Sequence, residues 1–187
     1  PEAYGGAGRD VADLIVALER LGEAGAWIGA LSVLAGPVFG GYTLRQYGTE
    51  AQCERYLPAL VDGEETWALG VTEADAGLNT AIVEKTAERT DDGFVVNGGK
   101  LWISGLDHAD RLLFLARTTP ADAADGPLDG LTMFVVDADA VGAEEIPLDV
   151  YYPERVYDVT IDDLYLPASS VLGSVDDGLA QLLPTLN

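Results

Sequence analysis

The sequence predicts an α+β chain, in which helices come first and an antiparallel β-barrel or β-sandwich follows. Apolar residues recur at helical spacing between positions 10 and 60. From Thr66 onward, short runs rich in Val, Ile, Thr and aromatic residues alternate with turn signals, which is typical of strands. The change occurs at Val61-Asp62-Gly63-Glu64. We therefore predict a partial helical domain, a middle β domain and the start of a further helical domain, over residues 1–63, 64–174 and 175–187.

The first sixty residues contain signals for four helices. Asp10 is placed to cap a helix that closes at Gly22 and Gly25 and has apolar residues at Val11, Leu14, Ile15, Leu18 and Leu21. Thr49 and Gln52 have the spacing of a capping box for a short helix ending near Tyr56-Leu57-Pro58. Two more helices are predicted between these, over Trp27–Leu34, stopped before Pro37, and over Val38–Gln46.

Seven later segments have the composition of strands. They are Thr66–Thr72, Ile82–Arg89, Gly93–Asn97, Lys100–Ser104, Arg111–Thr118, Leu131–Asp137 and Asp158–Leu166. Asp91-Asp92-Gly93 and Asn97-Gly98 are predicted hairpin turns, because Asn, Asp and Gly tolerate positive φ. Pro120–Asp129 is a polar surface loop, and Asp176–Leu183 begins an amphipathic helix.

The chain is strongly acidic, with 32 Asp and Glu against 10 Lys and Arg in 187 residues and a net charge of −22. Such a surface repels nucleic acid and anionic membranes, so neither is an expected partner. The acids are scattered rather than concentrated in one run, which favours solubility in concentrated salt, and hence a halophilic cytoplasm, over recruitment of a cationic partner. Hydrophobic residues make up 48% of the chain, which is enough for a packed core.

Other classes of site and segment have little support. Cys53 is the only cysteine, which excludes an internal disulfide, fits a reducing cytoplasm and indicates a small helix-face residue. Glycines interrupt the weakly charged stretch Ala24–Leu44 too often for a membrane span, and no signal peptide is evident. His108 lies in a turn-like segment and is expected to be solvated. No His, Cys and carboxylate spacing indicates a metal site.

Two segments contain the best candidates for chemistry. Thr72 and Ser104 each place a hydroxyl at the end of an apolar run, Trp102 precedes Ser104 by two positions, and Ala76-Gly77 makes a small-residue turn. A flavin is a planar ring with polar edges, and it requires hydroxyls and main-chain amides, an aromatic wall and a turn near phosphate. Each residue alone is as well explained by ordinary strand packing, and only the combination indicates a flavin site.

The order of these motifs resembles the acyl-CoA dehydrogenase family, flavoenzymes that oxidise the α,β bond of acyl thioesters. The similar pieces cover essentially the whole chain. They are Pro1-Glu2-x-Tyr4-Gly5-Gly6, Tyr47-Gly48-Thr49-Glu50-x-Gln52 with Arg55-Tyr56-Leu57-Pro58, residues 70–77, Val95-x-Asn97-Gly98-x-Lys100-x-Trp102-Ile103-Ser104, Leu115-Ala116-Arg117-Thr118, and Ile161-Asp162-Asp163-Leu164-x-Leu166-Pro167 with Leu172-Gly173.

The resemblance implies FAD as cofactor and assigns its contacts. It places the FAD contacts at Leu69, Val71, Thr72, Gly77, Leu78, Trp102, Ile103 and Ser104, and it also places Leu78 near the substrate. Val71 and Thr72 would meet the ring edge, Gly77 and Leu78 the pyrophosphate, and Trp102 would wall the ring. Leu78 and Asn79 depart from the family motif, which has a hydroxyl residue and Asp there, and Tyr151–Arg155 replaces a Lys-x-Gly segment. Glu73 is implied to be a structural turn residue.

The resemblance also implies an acyl-CoA substrate, an electron-transfer flavoprotein as acceptor, and a homo-oligomer. In the family the Glu base lies in or near a C-terminal bundle, and this chain ends where that bundle would begin. We therefore expect a fragment that has no catalytic residue of its own and is inactive alone. A related acyl-CoA oxidase or flavin monooxygenase, or a non-catalytic acidic interaction domain that has lost flavin binding, stays open as an alternative.

Overall fold

The computed structural model describes residues 1–26, 35–126, 128–141, 145–150 and 155–186. The helices described are α1 Val11–Glu23, α2 Thr43–Tyr47, α3 Glu50–Asp62 and α4 Gly178–Leu186, with a π-helical segment, Ala35–Tyr42, leading into α2. The predicted helix over Trp27–Leu34 lies outside the described residues, as does all of the Tyr151–Arg155 segment except Arg155. Mixed α+β architecture is therefore confirmed.

Capping side chains fix where α1 and α3 begin. The Asp10 carboxylate accepts hydrogen bonds from the Ala12 and Asp13 amides, and Thr49 and Gln52 form the reciprocal capping box predicted for α3. The Gln52 side-chain amide also donates to the carbonyls of Ser169 and Val171, at 3.0 and 2.8 Å. The cap of α3 thereby ties the helical part of the chain to the sheet.

The predicted end of α3 at Tyr56-Leu57-Pro58 is wrong. The helix continues through Pro58 to Asp62 and ends at Gly63, whose φ of 69° is the left-handed conformation typical of a helix end. Leu57 and Leu60 are buried, and this packing outweighs the hydrogen bond that Pro58 cannot donate. The predicted third helix over Val38–Gln46 is confirmed as helical, although it begins earlier, at Ala35.

One eight-stranded sheet forms the rest of the chain. Its strands are β1 Trp67–Gly70, β2 Thr86–Arg89, β3 Gly93–Ser104, β4 Arg111–Arg117, β5 Leu131–Asp137, β6 Glu145–Leu148, β7 Val156–Pro167 and β8 Val171–Leu172. The short strands β6 and β8 were not predicted from the sequence. The order across the sheet is β6-β7-β3-β2-β4-β5-β8, and β1 pairs with β4.

The expected barrel is wrong, because the sheet is open. β6 and β8 lie at opposite ends of the strand order and are not paired with each other. The sheet is also not purely antiparallel, since β1 runs parallel to β4 over four residue pairs. Strand β1 is reached directly from α3, and its parallel pairing aims the end of β1 in the same direction as the end of β4.

The predicted hairpin at Asn97-Gly98 is wrong as well. Residues 93–104 form one strand that pairs with β7 along its whole length, so the chain does not turn there. Gly98 instead occupies a register shift at φ 136°, with Lys85 so close that any Cβ would collide with its side chain. The Asp91-Asp92-Gly93 turn is confirmed, because Arg89 pairs with Phe94 across it.

Two hydrophobic clusters sandwich β4 and β5. Phe114 and Phe134 point into a cluster with residues of β3 and β7, whereas Leu113 and Met133 point into a cluster with α3 and α4. Both faces of these strands are therefore buried, which explains their continuous apolar sequence. Cys53 lies in the second cluster, where its thiol donates to the Leu44 carbonyl at 3.3 Å and burial raises its pKa, as expected of a structural cysteine.

Candidate functional site

The two segments selected from the sequence meet in the structure. The Leu101 amide, one residue before Trp102, donates to the Thr72 carbonyl at 2.9 Å. This hydrogen bond joins the loop that follows β1 to the second half of β3, although 29 positions separate the two residues in sequence. The hydroxyl residues Thr72 and Ser104 are both half-buried on the connected segments.

A buried ion pair reinforces this contact. The Lys100 Nζ donates to Glu73 Oε1 at 2.7 Å and to the Val71 carbonyl at 3.1 Å, and the Lys100 side chain is fully buried. Glu73 in turn accepts from the main-chain amides of Glu84 and Lys85, at 2.9 and 3.2 Å. One carboxylate thus links the loop after β1, the β3 strand and the start of β2.

Burial changes the acidity of Lys100. Desolvation lowers the Lys100 pKa from 10.5 to about 8, the Glu73 carboxylate opposes that change, and Lys85 adds to it. A buried cation is tolerated only where a charge and hydrogen bonds compensate it, and here Glu73 and Val71 supply them. The Lys100 ammonium also lies 5.1 Å from the centre of the Phe114 ring, which offers a further cation–π contact.

Trp102 is exposed and held in a strained conformation. It has a φ of 63°, in the left-handed region that bulky residues rarely adopt, and 57% of its surface is accessible. The register of β3 against β7 shifts between Lys100 and Ile103, so Trp102 sits in a bulge. Strain of this kind persists only where the surrounding structure imposes it, and it marks functional sites. The bulge presents the indole to solvent beside Ser104.

The other predicted site residues fall into two groups. Val71 and Ile103 are buried in the two hydrophobic clusters and Leu69 is packed against one of them, so these residues can offer a ligand mainly their main-chain atoms. Gly77 has open space where a side chain would be, and Leu78 is fully exposed. A fully exposed leucine and an accessible glycine leave room for a large ligand along this loop.

These features fit a flavin. The exposed indole, the two half-buried hydroxyl residues and the open main chain at Gly77 are the wall, edge donors and turn that a planar aromatic ring with a phosphate tail requires. His108 is solvent-exposed as predicted. Within the described ranges, no group of three or more His, Cys, Asp or Glu residues could hold a metal ion.

Sequence reasoning missed two buried cations. The sequence analysis placed Lys100 and Arg117 in motifs but assigned neither of them a role. The Arg117 guanidinium donates to the carbonyls of Val83 and Ala81 at 2.7 and 2.9 Å, and more weakly to those of Thr119 and Asp129. It thereby fixes the segment that follows the Leu78 loop. The available signal was that each is a cation within or at the end of an apolar strand.

Comparisons with known proteins identify the family of the chain. The family model described as acyl-CoA dehydrogenase, N-terminal domain, matches residues 1–64, and the one described as acyl-CoA dehydrogenase, middle domain, matches residues 68–150. The chain belongs to the acyl-CoA dehydrogenase family. It is 35% identical over 189 residues to the acyl-CoA dehydrogenase FadE12 of Mycobacterium tuberculosis, covering 100% of this chain and 47% of that protein.

Solved structures have the same fold as this chain. Butyryl-CoA dehydrogenase from Megasphaera elsdenii superposes with a TM-score of 0.87 at 28% identity, and the FAD complex of PigA with 0.89 at 26%. Each alignment covers 100% of this chain and 49% of the other protein. The chain therefore spans about half the length of the family members it matches. Across the parts of the chain that the structure describes, no helix has the length and apolarity to cross a membrane.

Proposed function

We propose that this chain carries part of the FAD site of an acyl-CoA dehydrogenase, which oxidises the α,β bond of an acyl-CoA thioester. The observation that carries the proposal is the contact between the Thr72 loop and the Trp102 bulge, held by Leu101 and by the Lys100–Glu73 pair. Residues remote in sequence are joined there, next in the chain to one exposed aromatic residue with a strained main chain. Membership of the family and the similarity to a protein solved as an FAD complex support the choice of flavin.

Each residue has a defined part in this proposal. Trp102 forms a wall against the ring, and Thr72 and Ser104 donate hydrogen bonds to its edge. The main chain at Gly77 and Leu78 approaches the pyrophosphate, while Leu69, Val71 and Ile103 contribute main-chain atoms and support. Leu78 also borders the substrate. Its side chain lacks the hydroxyl of the family motif, which would cost about 1 kcal/mol of binding free energy.

FAD, when bound, supplies the two-electron acceptor for oxidation of the thioester. The residues of this chain orient the ring and exclude water from one side of it. Removal of the α-proton requires a carboxylate base, which the family resemblance assigns to the C-terminal helical bundle. We therefore propose that residues 1–187 alone bind FAD weakly and have no dehydrogenase activity.

The proposed activity has a direct test in the full-length gene product. Under anaerobic conditions, addition of acyl-CoA thioesters of several chain lengths should bleach the visible absorption of bound FAD, because the substrate delivers two electrons to it. A panel of free acids of the same chain lengths is the matched control and should leave the spectrum unchanged. Bound FAD that no thioester bleaches would contradict dehydrogenase activity.

Two alternatives keep specific support. An acyl-CoA oxidase or a flavin monooxygenase would share these motifs, and rapid reoxidation of the reduced protein by O₂ would identify such an enzyme. A non-catalytic acidic domain is favoured by Leu78 and Asn79, the two departures from the motif. Failure of the full-length protein to retain FAD in concentrated salt would favour this last function.

The protein would also require an electron acceptor and a particular cellular environment. We propose an electron-transfer flavoprotein as acceptor, a homo-oligomeric assembly, and a cytoplasmic location in a salt-adapted organism. The scattered acidic surface supports the last point, because self-repulsion is screened in concentrated salt. Nucleic acid and anionic membrane surfaces are not proposed as partners, since both carry the same sign of charge.

A further inference from the structure

We propose that Lys100 and Glu73 form a positioning pair that sets both the geometry and the charge of the flavin-ring edge. The inference rests on the FAD site proposed above and assigns a role to two residues that contribute no atom to the ring contacts. Lys100 would act through the Val71–Thr72 peptide group, and Glu73 would hold Lys100 in place. The positive charge of Lys100 would thereby influence the ring edge through a main-chain peptide group.

The geometry leads from the ion pair directly to the ring edge. The Lys100 ammonium donates to the Val71 carbonyl at 3.1 Å, and that carbonyl shares a peptide unit with the Thr72 N–H. Within the residues that the structure describes, the Thr72 N–H is not engaged in a main-chain hydrogen bond. It is therefore a free donor in the loop assigned to the ring edge. A free donor at a half-buried position is suited to an acceptor on a ligand.

A cation on the carbonyl side strengthens the donor on the amide side. Hydrogen bonds in series polarise one another, so the Lys100 charge makes the Thr72 N–H a better donor. The effect is large here because Lys100 is fully buried, where water does not screen its charge. A polarised donor at the ring edge favours the negative charge that a flavin gains on reduction. Lys100 should therefore raise the reduction potential of bound FAD.

Glu73 determines whether this charge is present. Its carboxylate contacts Lys100 at 2.7 Å and is fixed by the Glu84 and Lys85 amides, so it cannot rotate away without losing both bonds. The other charged group that acts on Lys100 is the Lys85 ammonium, and the Phe114 ring covers the remaining side. Since the Lys100 pKa is lowered to about 8, its influence on the ring should disappear in mildly alkaline solution.

The test uses the full-length protein with the double variant Lys100→Met/Glu73→Gln, which removes the cation and the carboxylate together and leaves no buried unpaired charge. Lys85→Met is the comparison variant, because Lys85 is the only other lysine in the chain and its charge lowers the Lys100 pKa, so its loss should act in the opposite direction to the loss of Glu73. The measurements are the dissociation constant for FAD and the reduction potential of bound FAD from pH 6 to pH 9. Urea unfolding of each apoprotein reports whether a variant folds.

We expect the double variant to bind FAD at least tenfold more weakly than wild type and to have a lower reduction potential at pH 6–7. The advantage of wild type in potential should diminish as the pH rises through about 8 and be lost by pH 9, because Lys100 loses its proton over this range. A merely structural pair would change affinity without this pH-dependent difference in potential, and that result would overturn the inference. A wild-type protein that binds no FAD would instead overturn the proposed function and the role of the pair with it.

Should the double variant fail to fold, Glu73→Gln alone decides the question. It keeps the Lys100 side chain and its bond to Val71 but removes the anion that favours protonation. Its loss should lower the Lys100 pKa further. We therefore expect the change in FAD potential that accompanies deprotonation of Lys100 to occur at a lower pH than in wild type. An unchanged pH profile in Glu73→Gln would overturn the inference. Lys85→Met should move the profile the other way, toward higher pH, because it removes a charge that lowers the Lys100 pKa.

Discussion

Trp102 is the single residue with the most unusual combination of properties in the candidate site. Exposure of its indole and its positive φ both cost free energy in the absence of a ligand, and they occur together at a bulge in β3. The motif predicted an aromatic wall from the spacing of Trp102 and Ser104. It could not predict the strain, because the bulge depends on the register of β3 against β7, and β7 lies more than fifty residues further along the chain.

The strain at Trp102 predicts an unusual ranking of substitutions. Trp102→Gly should be about 1 kcal/mol more stable than Trp102→Ala, because glycine adopts positive φ freely whereas alanine does not. In an unstrained strand the order is reversed, since glycine is the worse strand former. Urea unfolding of the two variants measures the difference. Equal stabilities, or a more stable alanine variant, would contradict the bulge.

The lowered pKa of Lys100 predicts that the stability of the folded chain depends on pH. Its pKa is about 8 in the folded chain and 10.5 for a free lysine, so between these values the unfolded chain binds more protons than the folded one. The free energy of unfolding contributed by Lys100 therefore rises with pH across this window, by on the order of 1.4 kcal/mol per unit of pKa difference.

The comparison with Lys100→Met/Glu73→Gln isolates this effect, because tyrosines titrate in the same range. The pKa of Tyr157 is raised, for example, mainly by burial. We expect the stability of wild type relative to the double variant to increase from pH 8 to pH 10. A difference that stays constant over this range would show that Lys100 does not titrate with the lowered pKa.

The Lys100–Glu73 pair also marks a limit of sequence reasoning. Both residues lie inside motifs that the sequence identified, but their pairing requires β1 and β3 to be neighbours, which no local pattern indicates. Glu73 was interpreted as a structural turn residue, and its bonds to the Glu84 and Lys85 amides agree with a structural part. Its hydrogen bond to Lys100 gives Glu73 a second role, the positioning of that buried cation, which the sequence did not suggest.

Elements were predicted well where local signals decide them. The Asp10 cap and helical spacing located α1, the Thr49 and Gln52 capping box located the start of α3, and the Asp91-Asp92-Gly93 turn located the β2–β3 hairpin. The errors occur where tertiary pairing outweighs a local signal. Asn97-Gly98 is a strong turn dipeptide, yet Asn97 exchanges two hydrogen bonds with Asp163 of β7, and the strand continues.

Helix α1 packs weakly against the rest of the described chain. None of its residues is buried, and Val11, Ile15, Val16 and Leu21 are exposed. Helix α4 differs, because its Leu179 and Leu182 are buried against the sheet. Exposed apolar surface of the kind on α1 drives association in solution.

We therefore predict that the 187-residue chain self-associates through α1. Sedimentation at micromolar concentration in concentrated salt should detect dimers or larger species. Ile15→Ser should shift the population toward monomer, because it removes an apolar side chain that is 53% exposed and belongs to neither hydrophobic cluster of the described residues. Glu19→Ser, one turn further along the same helix, is the matched control. A monomeric wild-type chain would contradict this prediction.

At the scale of the whole molecule, charge is the dominant feature. Only ten Lys and Arg oppose the 32 acidic residues, which leaves a net charge of −22, and the structure buries two of these ten, Lys100 and Arg117. Among the described residues one acid, Glu73, is buried with them, so the surface is only slightly more acidic than the composition suggests. Described ion pairs at the surface, such as that between Arg20 and Glu23, are exposed and contribute little to stability.

The charge predicts a strong dependence of stability on salt. The midpoint of thermal unfolding should rise steeply from about 0.1 M to multimolar KCl, because the screening length falls from about 10 Å to about 3 Å at 1 M. Reversibility must be checked by rescanning, since aggregation would otherwise set the apparent midpoint. A midpoint that does not change with salt would contradict salt adaptation.

The central claim, that the Thr72 loop and the Trp102 bulge form a flavin site, has one direct measurement. The full-length protein is titrated with FAD in concentrated KCl, and the same titration is made with Trp102→Ala and with Tyr165→Ala, an exposed aromatic near the other end of the β3–β7 pair. We predict one FAD bound per chain, with at least tenfold weaker binding in Trp102→Ala and unchanged binding in Tyr165→Ala. Equal affinity in all three proteins, or no binding in any, would contradict the claim.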